Sequence, residues 1–283
     1  ETKAVNGVSI SINKGASLGL LGPNGAGKTT TIRMLIGAIK PDRGNIDIDS
    51  QPSHLRSVRS KVGIAPQALA LYDELTAQEN LNFFCSLYGL STAKRKERVE
   101  WALEFAQLEN RRNDRVQTFS GGMKRRLNLA TALVHDPEIL LLDEPTVGVD
   151  PQSRNHIFSS IEKLKDEGRT LIYTTHYMEE VDRLCDTVAI MDHGQVLARG
   201  TVNELINEYA NASQVTAELA GPAPEGAQLP GNLDEQVWTF ESHDPFAEIG
   251  KATTAGVQLA TLNVARPTLE DVFLNLTGRS LRD

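Results

Sequence analysis

The chain has 283 residues with 40% hydrophobic and 5% aromatic content, enough to bury one large core or two smaller ones. Its 29 Lys and Arg against 37 Asp and Glu leave a net charge of −8, which argues against a broad nucleic-acid footprint. Cys85 and Cys185 lie far apart without metal-ligand spacing, so neither a disulfide framework nor a zinc site is implied, and no apolar run approaches the ~20 residues of a membrane helix.

The chain opens at Glu1 in mid-pattern, since Val8-Ser-Ile-Ser-Ile12 alternates as a strand with no partner upstream, which reads as a missing leading segment. Apolar Ser17-Leu-Gly-Leu-Leu21 then runs into Gly22, Pro23, Asn24, Gly25, Ala26, Gly27, Lys28 and Thr29, a fit to G-x-x-x-x-G-K-[ST]. The helical pattern from Thr30 to Ile36 completes the strand–turn–helix context that the motif requires. Glycines let backbone N–H groups converge on phosphate oxygens, and the helix beginning near Lys28 adds the positive end of its dipole. Lys28 suits β- and γ-phosphates and Thr29 suits Mg²⁺, whereas a glycine turn with an incidental lysine is the bland alternative. Gly44–Ile48 and Lys61–Ala65 follow as further strands of a nucleotide-binding core.

A helical insertion then interrupts that core. Thr76-x-x-Glu79 is a capping box opening a helix over Asn80 to Tyr88, stopped by Gly89, and a second helix spans roughly Ala93 to Leu108. Its charge run Lys94-Arg-Lys-Glu-Arg98 reads as a solvated face. Phe119-Ser-Gly-Gly-Met123 precedes a basic helix from Lys124 to Leu133. Ser120, Gly121 and Gly122 there offer either a plain N-cap or a second anion-binding helix end.

Glu138-Ile-Leu-Leu-Leu-Asp143 is an apolar run of the kind buried on both faces of a parallel sheet, and it ends on Asp143 and Glu144. At such a strand end one carboxylate supports Mg²⁺ and the other orients an attacking water. Asp150-Pro151 caps a helix running to Gly168, Thr170–Thr175 is the next strand, and Thr187–Met191 turns through His193-Gly194 into Gln195–Ala198. The alternation predicts a mostly parallel α/β sheet with helices on its faces. Beyond Tyr209 a Pro/Gly-rich stretch, Gly221 to Gly231, sits in a segment that reads as a small α+β appendage, with Thr268-Leu-Glu-Asp271 capping a last helix.

With these residues assembled, the chain resembles the ATP-binding subunit of an ATP-binding cassette (ABC) transporter over about residues 4–210, its motifs falling in the family's order. The resemblance implies a P-loop NTPase fold with a nucleotide-binding domain at 1–210, a helical subdomain at about 74–135, and an accessory domain at 211–283. Gly22 to Thr29, with Thr30, resemble the Walker A loop, and Gln67 resembles the Q-loop glutamine that senses Mg²⁺ and the γ-phosphate. Ser120, Gly121 and Gly122 resemble the signature motif that closes on the ATP of an opposite subunit. Asp143 and Glu144 resemble the Walker B aspartate and catalytic glutamate, Val147 to Asp150 the D-loop, and His176 the switch histidine. Alone, Gln67 reads as a surface amide and His176 as a hydrogen-bonded histidine, so both roles rest on the resemblance. Phe119 and Met123 stand where the family commonly has leucine and glutamine, and the aromatic residue that stacks on adenine has no match near Glu1–Asn13.

The tail from Arg266 to Asp283, with Ser120–Arg126 and Thr174–Glu180, resembles bacterial drug-resistance and sodium-extrusion exporter ATPases. That implies a bacterial ATPase at the cytoplasmic face of the membrane, with ATP and Mg²⁺, a second ATP-binding subunit forming a homodimer, and a separate integral membrane permease, but no nucleic acid. The permease groove is expected between Gln67 and Tyr88, where Leu69, Leu71, Tyr72, Phe83 and Phe84 offer apolar surface or insertion core. A soluble cassette ATPase of DNA repair or translation is the alternative, and the single cassette without heptads or a cysteine cluster weighs against it.

Overall fold

The structure, a computed structural model, describes residues 3–210, 212–224 and 226–279. Glu1, Thr2, Asn211, Glu225 and the end of the tail from Ser280 to Asp283 lie outside the described residues. The chain divides into two compact units, 1–199 and 200–283.

The first unit is built on a six-stranded sheet. In chain order its elements are β1 (Ser17–Leu21), α1 (Lys28–Leu35), the short pair β2 (Asp47–Ile48) and β3 (Gln51–Pro52), α2 (Arg56–Arg59), β4 (Val62–Ala65), α3 (Ala77–Leu87), α4 (Thr92–Ala106), α5 (Gly121–Leu133), β5 (Ile139–Asp143), α6 (Pro151–Asp166), β6 (Thr170–Thr175), α7 (Met178–Leu184), β7 (Thr187–Asp192) and β8 (Gln195–Gly200). The sheet order is β4-β5-β6-β1-β7-β8, and β4 to β7 with β1 pair in parallel. β8 follows β7 through His193-Gly194 alone, a connection short enough to force an antiparallel edge. Every residue of β1 and β6 is buried, as strands covered by helices on both faces require. Gly19 makes one such covering possible, because a Cβ there would meet Val181 Cγ1 of α7 at 2.0 Å.

Parallel pairing aligns the strand ends. Ala65 lies beside Leu142, Asp143 beside Thr174, and Leu21 beside Thr175, so the loops after β4, β5, β6 and β1 all emerge at one carboxyl edge. The helical insertion has its own core, in which Leu81, Cys85, Val99, Leu103, Leu127 and Val134 meet. Thr76 caps α3 with the expected box, its hydroxyl accepting from Glu79 N at 3.2 Å, and the helix therefore begins at Ala77, three residues earlier than the sequence suggested. Cys85 and Cys185 are both buried free thiols.

Three expectations are corrected. Val8–Ile12 forms no strand among the described residues; Val8, Ile10 and Ile12 pack on the sheet core by side chains without joining a ladder. Only Asp47–Ile48 of the expected 44–48 strand pairs, because its partner β3 ends in Pro52, which has no N–H to give. The charge run on α4 is not wholly solvated: Arg98 is buried and donates to Leu133 O at 2.6 Å and Val134 O at 3.1 Å, satisfying carbonyls at the end of α5.

The second unit comprises α8 (Val202–Tyr209), β9 (Ser213–Leu219), β10 (Asn232–Asp234), β11 (Val237–Ser242), α9 (Pro245–Thr254), β12 (Leu259–Ala265) and α10 (Leu269–Thr277). Its four strands pair antiparallel in the order β10-β11-β9-β12. β9 alternates exposed and buried positions, and Val215, Ala217, Trp238 and Phe240 form the covered face beneath Ile249 of α9. Thr268 caps α10 with a capping box to Asp271, and α8 packs on α10, where Asn275 Nδ2 donates to Tyr209 O at 2.9 Å.

Candidate functional site

The loop between β1 and α1 is shaped by glycine. Gly25 and Gly27 adopt φ of 82° and 103°, and a Cβ on Gly22 would lie 2.2 Å from Met191 O, so the turn tolerates no side chain there. The loop is held by Gly194 N donating to Ala26 O at 3.0 Å. The first-turn amides of α1 lack acceptors within the helix and carry its positive dipole end. A cavity of about 700 Å³ opens against this loop. Asn24, Gly25, Ala26, Gly27, Lys28, Thr29 and Thr30 line it, joined by Gln67 and Glu144 from neighbouring loops and by Ala4 and His193 at its rim.

Lys28 is 5% exposed. Its Nζ donates to Gly22 O at 2.7 Å and Pro23 O at 3.1 Å and stands 3.3 Å from Glu144 Oε1. Burial pulls its pKa below the ordinary lysine range while Glu144 and Asp143 push it back up. Thr29 Oγ1 donates to Asp143 Oδ1 at 3.3 Å, and Thr174 Oγ1 donates to the same oxygen at 2.6 Å. These are oxygen groups of the kind that suit a hard divalent cation.

Glu144 is the point of convergence. Gln67 Nε2 donates to its Oε2 at 2.8 Å, and His176 Nδ1 lies 3.5 Å from its Oε1. Glu144 sits at φ 46°, the left-handed region that glutamate seldom enters, which turns its carboxylate at the strand end. Its N–H is held by Thr174 O and Thr174 Oγ1, each at 3.1 Å. Lys28, Gln67 and His176 therefore surround one carboxylate, with Asp143 and Thr29 beside it.

The remaining motif residues lie elsewhere. Ser120 is the N-cap of α5, accepting from Met123 N at 3.2 Å, and Asp150 is the N-cap of α6, accepting from Ser153 N at 2.9 Å. Neither Ser120, Gly121, Gly122 nor Asp150 lines the cavity of its own chain. They lie together instead: a Cβ on Gly122 would come 2.1 Å from Ser153 Oγ and 2.8 Å from Asp150 Oδ2.

Sequence reasoning missed three supporting residues. Thr174 faces Asp143 across the β5–β6 register. Arg125 donates to Gln67 O at 2.7 Å and Glu144 O at 3.0 Å. Glu180 is fully buried and accepts from Thr146 Oγ1, Thr175 Oγ1, Tyr173 OH and Arg154 Nε. Only the strand register of Thr174 was open to inference in advance.

Beyond Gln67, Leu69, Tyr72, Phe83, Leu87 and Tyr88 are exposed, whereas Leu71 and Phe84 pack against the insertion core. Tyr72 and Phe83 meet edge to face at 4.8 Å. Among the described residues no helix is long and apolar enough to cross a membrane.

The sequence profile described as "ABC transporter" matches residues 5–147. The linearmycin resistance ATP-binding protein LnrL of Bacillus subtilis (strain 168) is 43% identical, with 99% of this chain and 95% of that protein aligned. The Nod factor export ATP-binding protein I of Ralstonia nicotianae is 39% identical over 100% of this chain and 92% of its own length. Among solved structures, an ATP-binding subunit of an ABC transporter superposes with a TM-score of 0.66 at 31% identity, covering 73% of this chain and 87% of that one. A dimeric ATP-binding cassette in a post-hydrolysis state with ADP and Pi gives 0.64 at 27% identity, covering 70% and 90%.

Proposed function

This chain belongs to the ABC transporter family as an ATP-binding, ATP-hydrolysing subunit of the exporter kind, and from that premise we propose how its residues divide the work. Glu144 is the general base that polarises the attacking water. Lys28 and the amides from Gly25 to Thr30 hold the phosphates, Gln67 and His176 orient the reacting end, and Asp143 and Thr29 hold Mg²⁺. When bound, Mg²⁺ neutralises charge on the phosphate oxygens. The observation that carries this reading is the convergence of Lys28, Gln67 and His176 on Glu144, a carboxylate at the mouth of a glycine-built cradle.

ABC ATPase domains dimerise and work with membrane permeases, and a dimeric cassette is among the structural neighbours. We propose a homodimer in which Ser120, Gly121, Gly122 and Asp150 of each chain complete the site of the other. The functional division we propose assigns nucleotide chemistry to 1–210, with the helical subdomain at about 74–135, and an accessory role to 211–283; the division into compact units falls earlier, at 199/200, which puts α8 with the accessory unit. The exposed apolar side chains of Leu69, Tyr72, Phe83, Leu87 and Tyr88 form the surface we assign to a separate permease, which would hold the protein at the cytoplasmic face of a bacterial membrane. Relatives named for linearmycin resistance and Nod factor export favour export of a drug-like or other substrate over a soluble role in DNA repair or translation.

ATP turnover by the wild type and by Glu144→Gln tests the assignment. Loss of at least a hundredfold in kcat is expected, and equal rates would remove Glu144 as the base.

A further inference from the structure

Arg125 lies on the second turn of α5, five residues beyond Ser120, with 6% of its surface exposed. Its Nη1 donates to Pro66 O at 3.2 Å and Gln67 O at 2.7 Å, and its Nη2 donates to Glu144 O at 3.0 Å. One planar group thus ties the main chain of the loop after β4 to the main chain of the residue after β5. Asn128, almost one turn further along, adds to the same junction: its Oδ1 accepts from Ala70 N at 2.9 Å and its Nδ2 donates to Pro66 O at 3.4 Å.

Three neutral carbonyls do not neutralise a guanidinium, and burial pulls its pKa below the ordinary arginine range. A buried cation in that position needs a geometric justification, and the fork supplies one. Only arginine presents several donors in a fixed plane wide enough to reach carbonyls from two separate loops. The peptide that it grips is the strained one. Glu144 at φ 46° is held through its N–H by Thr174 and through its carbonyl by Arg125, so both ends of the left-handed residue are fixed. The side chains span the same gap through Gln67 Nε2 and Glu144 Oε2 at 2.8 Å.

We propose that Arg125 is a positioning residue for hydrolysis: it locks the Gln67 loop and the Glu144 peptide into one unit with α5, so that displacement of the Ser120 turn is transmitted to the aim of the Glu144 carboxylate. The proposal rests on the roles given above to Gln67 and Glu144. It makes hydrolysis depend on where α5 sits, through a side chain that is not among those lining the cavity.

The test is steady-state ATP hydrolysis by the full chain. Arg125→Lys keeps the charge but offers one point donor, which cannot span the three carbonyls. We expect kcat to fall at least tenfold, KM for Mg-ATP to move less than threefold, and the thermal midpoint to stay within a few degrees. Arg98→Lys, another buried guanidinium held by carbonyls but remote from the cavity, serves as the structural control and should not show the tenfold loss in kcat. In a Gln67→Ala background Arg125→Lys should lower kcat by a smaller factor than it does in the wild type, since the Gln67 half of the unit it positions has already lost its side chain while its grip on Glu144 O remains. Should the lysine variant fail to fold, Arg125→Gln is read by the same criteria. A kcat within twofold of wild type, or losses that multiply in the double variant, overturns the proposal. Glu144→Gln in the same assay separates the two claims: if it turns over at the wild-type rate, the reading of the site falls. If it is inactive while Arg125→Lys is not impaired, only the proposal falls.

Discussion

Lys28 Nζ and Glu144 Oε1 face each other at 3.3 Å, each side chain 5–6% exposed, at the mouth of the glycine loop. Removing one member of such a pair leaves the other charge buried. Lys28→Ala is expected to lower the stability of the nucleotide-free protein by about 3 kcal/mol and to weaken Mg-ATP binding at least tenfold. Urea denaturation and equilibrium nucleotide titration check the two effects; unchanged values in both would mean that the contact does neither job.

Gly121 and Gly122 are adjacent, yet the structure treats them differently. A Cβ on Gly121 meets only Gly148 O at an ordinary 3.8 Å, whereas one on Gly122 lies 2.6 Å from Ser153 Cβ. Gly122→Ala should therefore destabilise the fold by about 1–3 kcal/mol, and Ser153→Gly should recover most of that loss. Gly121→Ala should leave stability within about 1 kcal/mol of wild type, helped by alanine's better helix propensity. Differential scanning calorimetry of the four proteins decides it, and equal losses for the two glycines would show that the packing against α6 is not the constraint.

His135 supplies a pH dependence whose sign is fixed. Burial pulls its pKa from 6.5 to about 4, with its ring stacked on Tyr88 at 3.5 Å and its Nε2 at 3.2 Å from Val62 O. The unfolded chain therefore binds the extra proton first as pH falls below 6.5. Stability is full above that value and is lost progressively down to about 4, by on the order of 2–3 kcal/mol after allowance for partial exposure. His135→Gln should flatten denaturation midpoints compared at pH 7 and pH 5. A slope identical to wild type would assign the acid sensitivity elsewhere.

Glu180 binds four donors at once, from Thr146, Tyr173, Thr175 and Arg154, with none of its surface exposed. It fixes the loop after Glu144 to β6, the strand that ends just before His176. Glu180→Leu strands those donors and is expected to destabilise the protein by about 2–4 kcal/mol, while Glu180→Gln retains part of the network and about half the loss. Thermal melts of both variants test this, and a stable leucine variant would contradict it.

Much of the site was legible because its signals are local. Apolar runs announced β1 and β5, the alternation of strands and helices announced β6, and once strands are parallel their carboxyl ends must share an edge, which brings Gln67, Asp143, Glu144 and His176 to Lys28. The caps at Thr76, Asp150 and Thr268 were legible because they are short-range hydrogen bonds, although the helix after Thr76 begins at Ala77 and not at Asn80. What stayed hidden depends on distant partners. Arg98 read as part of a solvated face and Arg125 only as one residue of a basic helix, and only the tertiary fold supplies the carbonyls that let each guanidinium be buried. Val8–Ile12 had the alternation of a strand without a ladder to join, since periodicity reports a buried face and not a pairing partner.

Hydrolysis as proposed requires a nucleotide gripped between two chains, by the Lys28 loop of one and the Ser120 turn of its partner. Light-scattering mass of Glu144→Gln in saturating Mg-ATP measures this directly. We predict twice the chain mass of about 31 kDa, collapsing to the single-chain mass when ADP replaces ATP or when Ser120→Arg is added. A variant that binds Mg-ATP at full stoichiometry yet keeps the single-chain mass would contradict it.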